Sequence, residues 1–254
     1  MRAIYDSHLH MGLLSEDVLI SPNEIKSFIK RYGVKGGLIL PTAHVGGNDN
    51  LELHETLYKA ALEEKFQIAL YLNTDVLNRM KDGHYEIKYS FSAFKIHPEA
   101  VEFSDKDLND VCIAIGMKNK PLLIHTGGLD CSHASRFESI IRKYKQQTFI
   151  MCHGRPTEEA FTLLNKYDNV WIDTSFMSID RAKPYITKSN EDRILFGSDF
   201  PINRWFPELP NDEFWYKKQI DDILGAFPLS VSEKILETNY LKLFCKDCGC
   251  NSQV

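Results

Sequence analysis

The sequence predicts an α/β protein, a single (β/α)8 barrel with an extra C-terminal helix. Short apolar runs recur along the 254 residues, and each is followed by a longer segment whose apolar residues repeat every three or four positions. The runs are too apolar to leave one face in water, which is typical of parallel strands covered by helices. The length agrees, because such barrels take about 250 residues.

Eight strands are predicted, with no linker or low-complexity tract between them. They cover 3–7, 37–40, 67–72, 93–96, 121–125, 148–152, 170–173 and 193–197. An open, doubly wound sheet is the alternative, but no Gly-x-Gly-x-x-Gly follows the first strand. We therefore predict one domain over residues 1–254, of which 245–254 form a flexible, cysteine-containing tail.

Helices are predicted between the strands from apolar spacing and from residues suited to a first turn. Apolar periodicity marks 25–32 and 57–62, and first-turn signals stand at Ser21-Pro22, Ser104-Asp105, Pro156 to Glu159 and Ser230 to Glu233. The last of these is read as a capping box that opens a final helix ending near Phe244.

Composition excludes several classes of function. A formal charge of −5 and a sequence pI of about 6.0 leave no broad positive field for nucleic-acid binding. No apolar run approaches the roughly 20 residues of a membrane span, and no charged-then-apolar leader precedes the first strand. We expect a cytoplasmic protein that acts on a small molecule, without nucleic acid or membrane, and homodimer formation is compatible with the sequence.

The six cysteines fit that compartment. Cys112, Cys131 and Cys152 lie singly in apolar segments, and Cys245, Cys248 and Cys250 form a Cys-x-x-Cys-x-Cys tail. Three thiols do not complete a tetrahedral metal set. A reduced, frayed terminus is the simpler interpretation, and a metal site in the tail is the alternative.

Metal-capable residues fall where the predicted strands end, and barrel active sites are built at those ends. His8 and His10 are two apart on an extended segment, so both side chains project from one face. Two imidazoles can bind one cation, and zinc prefers nitrogen ligands. His125 after the fifth strand and Asp199 after the eighth are the remaining candidates, so these four residues predict a metal site.

Five motifs occur in a fixed order along the chain. They are Asp6-x-His8-x-His10, Lys95-Ile-His-Pro98, His125-Thr-Gly127, His153-Gly154 and Gly197-Ser-Asp199-x-Pro201. In order and spacing they resemble the amidohydrolase superfamily, and most closely its amidohydrolase-related branch, which contains aminocarboxymuconate-semialdehyde decarboxylase. The segment from Ile235 to Phe244 is similar to the closing helix of that branch.

The resemblance implies a (β/α)8 barrel with one divalent metal, most often zinc, with manganese or another divalent ion as the alternative. Positions His8, His10, His125 and Asp199 match its metal ligands. Asp199 would also take a proton from water, and His153 would polarise the substrate or assist proton transfer.

Lys95 is a third predicted catalytic residue. Some relatives carry a carboxylated lysine here that bridges two metals, but the resemblance favours a plain ammonium and one metal. Lys95 would then orient an anionic substrate group or the water, and an ion pair with Asp6 is the structural alternative. His97 lies two residues further on, but Pro98 ends the strand, which favours a loop histidine.

Further residues fall in segments expected to overhang the mouth of the barrel. Arg155, Arg204, His44 and His133 would recognise a carboxylate or phosphate there. Trp205 would add an apolar wall to the substrate pocket.

These features favour a metal-dependent hydrolase that attacks an ester, amide or lactone bond of a small carboxylated substrate. The same residues support a metal-dependent decarboxylase, a carbon–carbon lyase of the same superfamily. A barrel that binds metal or ligand without catalysis is the second alternative.

Overall fold

The computed structural model describes residues 3–15, 18–42, 59, 66–82, 91–116, 119–204, 206–209 and 211–245. Within them, nine strands form one sheet in the order β2-β1-β3-β4-β5-β6-β7-β8-β9. Their bounds are β1 Ile4–Ser15, β2 Val18–Ile20, β3 Val34–Pro41, β4 Gln67–Tyr71, β5 Ala93–Ile96, β6 Leu122–His125, β7 Phe149–Cys152, β8 Val170–Asp173 and β9 Ile194–Leu195.

The sheet curls so that its first and last parallel strands approach each other. β2 is antiparallel to β1, and the pairs from β1 and β3 through to β9 are parallel. Beyond β9, Phe200 pairs with Leu9 in parallel, and the Asp199 amide donates to the His8 carbonyl at 2.9 Å. The chain therefore has a TIM-barrel-like fold rather than an open, doubly wound sheet.

Helices connect the strands. They are α1 Pro22–Tyr32, α2 Thr74–Lys81, α3 Asp105–Gly116, α4 Glu138–Lys143, α5 Thr157–Lys166, α6 Ile179–Ala182, α7 Asp212–Ala226, α8 Leu229–Glu233 and α9 Asn239–Phe244. The predicted start of α1 is confirmed, because the Ser21 side chain accepts from the Glu24 amide and Glu24 accepts from the Ser21 amide. The helix predicted over 57–62 lies outside the described residues, apart from Lys59.

Three strand predictions were wrong in extent. The predicted strand 37–40 covers only half of β3, Val34–Pro41. β1 continues to Ser15 and pairs antiparallel with β2, which was not predicted. The last predicted strand, 193–197, is reduced to β9, because the Phe196 amide donates to the Ile235 carbonyl at 3.0 Å instead of continuing the sheet.

The C-terminal segment does not begin as predicted. α8 starts at Leu229 after Pro228, and no side chain caps it. Ser230 thus lies inside the helix, and the predicted capping box to Glu233 was wrong. A π-helical turn, Lys234–Thr238, joins α8 to α9. This turn leaves the Ile235 carbonyl to accept from Phe196.

The strands bury alternate residues on two sides, as the extended backbone requires. Leu122 and Ile124 of β6 belong to the larger apolar cluster, whereas Leu123 belongs to a smaller one inside the barrel. Tyr240 and Phe244 of α9 join the smaller cluster. The opposite, carboxyl ends of the strands carry the polar side chains.

No helix in the described part of the chain is long and apolar enough to cross a membrane. The described cysteines are free thiols: Cys112, Cys131, Cys152 and Cys245. Cys248 and Cys250 lie outside the described residues.

Candidate metal centre

Polar side chains replace apolar ones along the inward face of the strands. Ala93 and Leu123 lie in the inner cluster, and Lys95 and His125 follow two positions later on the same face. Because side chains alternate between the two faces of a strand, Lys95 and His125 point inward at the carboxyl ends of their strands. The side chains gather there around a cavity of about 390 Å³.

Three side-chain atoms converge in this cavity. His8 Nε2 lies 3.1 Å from His10 Nε2, and Asp199 Oδ1 lies 3.1 Å from His10 Nε2 and 3.3 Å from His8 Nε2. We call these three residues the ligand trio. Gly197 makes room for it, because a Cβ there would meet the His8 Cβ at 2.8 Å.

Asp199 and His153 both have left-handed backbone, with φ of 61° and 66°. Such φ values are uncommon for residues other than glycine and often occur at functional sites. In each case the turn follows a strand end and brings the side chain into the cavity.

Asp173 at the end of β8 positions His8. Its Oδ2 accepts from His8 Nδ1 at 2.8 Å, and its Oδ1 accepts from the amides of His153 and Ser175 at 3.0 and 3.1 Å. Burial alone would raise the pKa of Asp173, but the His8 imidazole and these polar neighbours hold it well below its usual range. The bond to Nδ1 therefore fixes the ring of His8 with Nε2 directed towards His10 and Asp199.

The ligand trio fits a divalent cation. Burial lowers the pKa of His10 to about 4, so its imidazole is neutral at pH 7. Burial would raise the pKa of Asp199, but the imidazoles of His153 and His8 lower it far below its usual range. Tetrahedral ligands about 2.0–2.1 Å from zinc lie about 3.3 Å from one another. The observed separations match that spacing.

His125 and His153 form a second pair. The Ser175 carbonyl only accepts, so a neutral His153 donates to it from Nδ1 at 3.0 Å. His153 Nε2 then accepts from His125 Nδ1 at 3.1 Å. His125 Nε2 keeps its lone pair and lies 3.6 Å from Glu99 Oε2.

The convergent group contains His8, His10 and Asp199 but not His125. His125 lines the same cavity, so its role as a fourth ligand stays a prediction. Burial holds the pKa of His125 well below its usual range and lowers that of His153 to about 3.

Lys95 is buried in the cavity wall. Its Nζ donates to Cys152 Sγ at 2.9 Å, whereas an Asp6 oxygen accepts from the amides of His8 and Ser198. The alternative ion pair between Lys95 and Asp6 is not formed. The neighbouring thiol is itself protonated, because burial raises the pKa of Cys152.

Sequence reasoning missed three contributors to the cavity. Asp173 was predicted only as a strand end, and His97 only as a loop residue. The His97 ring stacks on His125 with centroids 3.7 Å apart. Glu99 lines the cavity and accepts from the Ser132 hydroxyl. A search for every acidic residue at a strand end would have found Asp173.

The predicted substrate residues separate into different places. Arg155 lines a second cavity, of about 650 Å³, which shares His153 with the first. Its Nη2 donates to the Phe176 carbonyl at 2.8 Å. His133 also lines this second cavity.

Arg204 lies elsewhere. Its guanidinium pairs with Glu24 at 2.9 Å and lines a third cavity that does not contain the ligand trio. The structure does not bring it to the metal cavity. His44 and Trp205 lie outside the described residues.

The curled sheet and the polar groups at its carboxyl edge define an α/β protein of TIM-barrel-like fold. Residues 21–245 match the family model described as Amidohydrolase. The chain therefore belongs to the amidohydrolase family, as its motifs predicted. No curated protein matches it.

Solved structures share the fold at low identity. A probable 2-pyrone-4,6-dicarboxylic acid hydrolase from Acinetobacter baumannii, with citric acid bound, has 12% identity and a TM-score of 0.68, covering 95% of this chain and 99% of that one. IDCase from Metarhizium anisopliae has 11% identity and a TM-score of 0.72, and the match covers 96% of this chain and 97% of that one. An amidohydrolase from Burkholderia multivorans with bound zinc has 7% identity and a TM-score of 0.71, and the match covers 96% of this chain and 99% of that one.

Proposed function

We propose that this chain is a metal-dependent hydrolase that acts on an ester, amide or lactone bond of a small carboxylated substrate. The main support for this proposal is the ligand trio, in which His8 Nε2, His10 Nε2 and Asp199 Oδ1 lie 3.1–3.3 Å apart. Membership of the amidohydrolase family makes dependence on a divalent metal plausible. We propose one ion per chain, zinc first and manganese or another divalent ion as the alternative.

Four residues would hold the cation: His8, His10, His125 and Asp199. When bound, a divalent cation acts as a Lewis acid that makes water a nucleophile near neutral pH. Asp173 keeps His8 Nε2 directed into the cavity through its bond to Nδ1. The unprotonated Nε2 of His125 makes this residue suitable as the fourth ligand.

His153 and Asp199 would handle the proton. Asp199 Oδ2 lies 3.9 Å from His153 Nδ1, so the two groups are neighbours. His153 Nε2 accepts from His125 Nδ1 at 3.1 Å, so proton uptake at Nε2 requires this bond to open. These groups would take the proton that water loses and return it to the leaving group.

Lys95 and Arg155 would orient the substrate. The buried ammonium of Lys95 supplies positive charge inside the cavity, and we propose that it stays uncarboxylated and bridges no second metal. Arg155 would act from the adjoining cavity. His44, Trp205 and Arg204 stay proposed substrate-binding residues. Glu24 holds the Arg204 guanidinium outside the metal cavity, so we expect Arg204 to contribute little to substrate binding.

The finer features of the sequence prediction also belong to the proposal. We propose one domain over residues 1–254, eight complete βα units, an extra C-terminal helix, a cytoplasmic location and no nucleic-acid or membrane partner. A homodimer is compatible with this arrangement.

A carbon–carbon lyase is the second candidate. The observation that favours it is that the Lys95 side chain lines the metal cavity, where we propose that its amino group holds a substrate carboxylate ready for loss as carbon dioxide. A barrel that only binds metal is less favoured, because His153 lines the metal cavity outside the converging group, and a mere binding site needs no such proton acceptor.

The test combines a metal count with two product assays. Protein purified without chelators is expected to contain roughly one zinc, manganese or similar ion per chain by elemental analysis, with or without added bicarbonate. A second ion that appears only with bicarbonate would indicate a carboxylated Lys95. No stoichiometric metal would overturn the proposal. Ester, lactone and amide panels, run beside an assay of carbon dioxide release, separate hydrolase from lyase.

A further inference from the structure

Cys152 is a fully buried thiol to which the proposed function gives no role. It is the last residue of β7, and it belongs with Ile150, two positions earlier, to the inner apolar cluster. Both side chains therefore point inward. The Cys152 carbonyl accepts from the amide and the hydroxyl of Thr126, and Cys152 pairs in register with His125 of β6. The backbone that carries the thiol is thus fixed at the carboxyl edge of the sheet.

The thiol is the hydrogen-bond partner of Lys95. Lys95 Nζ donates to Cys152 Sγ at 2.9 Å, and no carboxylate among the described residues forms an ion pair with Nζ. Burial raises the pKa of Cys152 well above its usual range, and the charge of the neighbouring Asp173 adds to this effect. The thiol is therefore neutral at pH 7. It fixes the direction of Nζ without placing a negative charge beside it.

The same sulfur adjoins the pair of residues that directs His8 into the metal cavity. Cys152, His8 and Asp173 each offer one ligand atom, and these three atoms lie within 4.8 Å of one another. The Asp173 carboxylate accepts from His8 Nδ1 at 2.8 Å. Lys95, Cys152, Asp173 and His8 thus form one group of adjoining side chains, which we call the thiol network. It connects the wall of the metal cavity with the ligand trio.

All four side chains of the thiol network are shielded from solvent. Lys95 is 2% exposed, and Cys152, Asp173 and His8 are 0% exposed. In such an interior a polar contact is stronger than in water, and a polar atom without a partner is more costly. Loss of the sulfur would leave Lys95 Nζ without its hydrogen bond, so the amino group would turn towards another acceptor. Asp173 would lose a neighbour on the side away from the ligand trio's histidines.

We propose that Cys152 is a positioning residue of the candidate site, which fixes the direction of Lys95 Nζ and supports Asp173 in holding His8. The roles of Lys95 towards a substrate and of His8 towards a metal rest on the proposed function. The contact between Cys152 and Lys95 does not require either of them, so it can be tested separately.

The experiment compares Cys152→Ala with Cys152→Ser. Both variants remove the sulfur and leave cavities of similar size, but serine keeps a hydroxyl that accepts from Lys95 Nζ. The difference between the two variants therefore measures the polar contact and not the packing. Lys95 is followed by carbon-13 NMR of protein labelled at the lysine Cε, and its resonance is assigned with Lys95→Arg. Metal affinity is measured by competition with a chromophoric chelator.

Cys152→Ala is expected to shift the Lys95 resonance in metal-free protein. It is also expected to weaken metal binding about tenfold, the lower end of the usual cost of losing a group that supports a ligand. Cys152→Ser restores a partner for Nζ and should keep the parent resonance and most of the metal affinity. Cys152→Val, which fills the space without an acceptor, takes the place of Cys152→Ala if that variant does not fold.

Cys112→Ala is the matched control, because Cys112 is a second buried cysteine, on α3 in the larger apolar cluster. It should leave both readouts unchanged. Equal changes in Cys152→Ala and Cys152→Ser, or no change in either, would overturn the inference. A parent protein that takes up no metal would overturn the proposed function, and the Lys95 resonance would still decide whether the contact positions Nζ. Metal uptake by the parent, with both readouts of Cys152→Ala unchanged, would overturn the inference alone.

Discussion

Two adjoining cavities share His153 in their walls, and they differ in how far their buried polar groups are hydrogen-bonded within the chain. In the metal cavity, Asp173 binds His8, the amide of His153 and Ser175. In the second cavity, Trp215 and Gln219 bury polar atoms for which the described chain supplies no partner. The contrast teaches that the chain positions His8 and His153 by bonds to Asp173, whereas it leaves buried polar atoms of Trp215 and Gln219 without partners in the described residues. Four predictions test this difference, from the largest expected effect to the smallest.

The first changes the ligand trio. His8→Ala combined with His10→Ala removes two of the three converging nitrogen and oxygen atoms. The metal content is expected to fall from roughly one ion per chain to below about a tenth, because Asp199 and His125 alone do not hold a divalent ion at micromolar concentration. Gln219→Leu should retain full metal content. A double variant that keeps its metal would place the ion elsewhere.

The second tests whether Asp173 positions His8. Asp173→Asn replaces an acceptor of the His8 Nδ1–H with a neutral amide. Metal affinity is expected to drop by about 10- to 100-fold, the usual cost of losing such a supporting group. Competition with a chromophoric chelator measures it. Asp222→Asn, at the exposed ion pair with Lys218, is the control and should bind metal as the parent does. Unchanged affinity for Asp173→Asn would remove its positioning role.

The third compares two arginines that look alike in the sequence. Arg155→Gln is expected to raise KM for a carboxylated substrate by at least about tenfold, the effect of one charge-assisted bond. Arg204→Gln should change KM less than about twofold, since its partner is Glu24 on the surface. Steady-state kinetics on the best substrate from the panel provide both values. The reverse order would return Arg204 to the substrate pocket.

The fourth and smallest effect concerns stability without ligand. Gln219→Leu removes an unsatisfied buried amide, so the free energy of unfolding is expected to rise by about 1–3 kcal/mol. Gln147→Leu is expected to lower it by a similar amount, because it leaves the Lys120 carbonyl without the Gln147 donor, although the Thr148 carbonyl still accepts from the Leu122 amide. Urea denaturation measures both. A loss of stability on Gln219→Leu would show that its amide has a structural partner.

The barrel-like fold could be predicted because it depends on local patterns. The strands 93–96 and 170–173 were predicted with their observed bounds, since each is a short apolar run between helical segments. The β1–β2 hairpin could not be predicted from such a run, because it depends on pairing across a turn. The shortness of β9 depends on a bond to Ile235, which lies far along the chain.

The site was predictable where residue type and strand end coincide. His8, His10 and Asp199 converge in the structure, as their positions at predicted strand ends indicated. The bond from His8 to Asp173 spans 165 positions, and no local signal marks it. Arg155 and Arg204 both follow strands that end at the mouth of the barrel. The paths of their loops differ, so Arg155 lies at the cavity that His153 lines, whereas Arg204 pairs with Glu24.

The seam between the first and last parallel strands also carries the ligand trio. His10 and Asp199 are separated by 189 positions, and the Asp199 amide already bonds to the His8 carbonyl across the seam. A cation held there would act as a reversible cross-link that closes a very long loop, and closing such a loop restricts the unfolded chain. Bound metal would then stabilise the barrel at the seam, and metal depletion would weaken it where β1 meets the segment that follows β9.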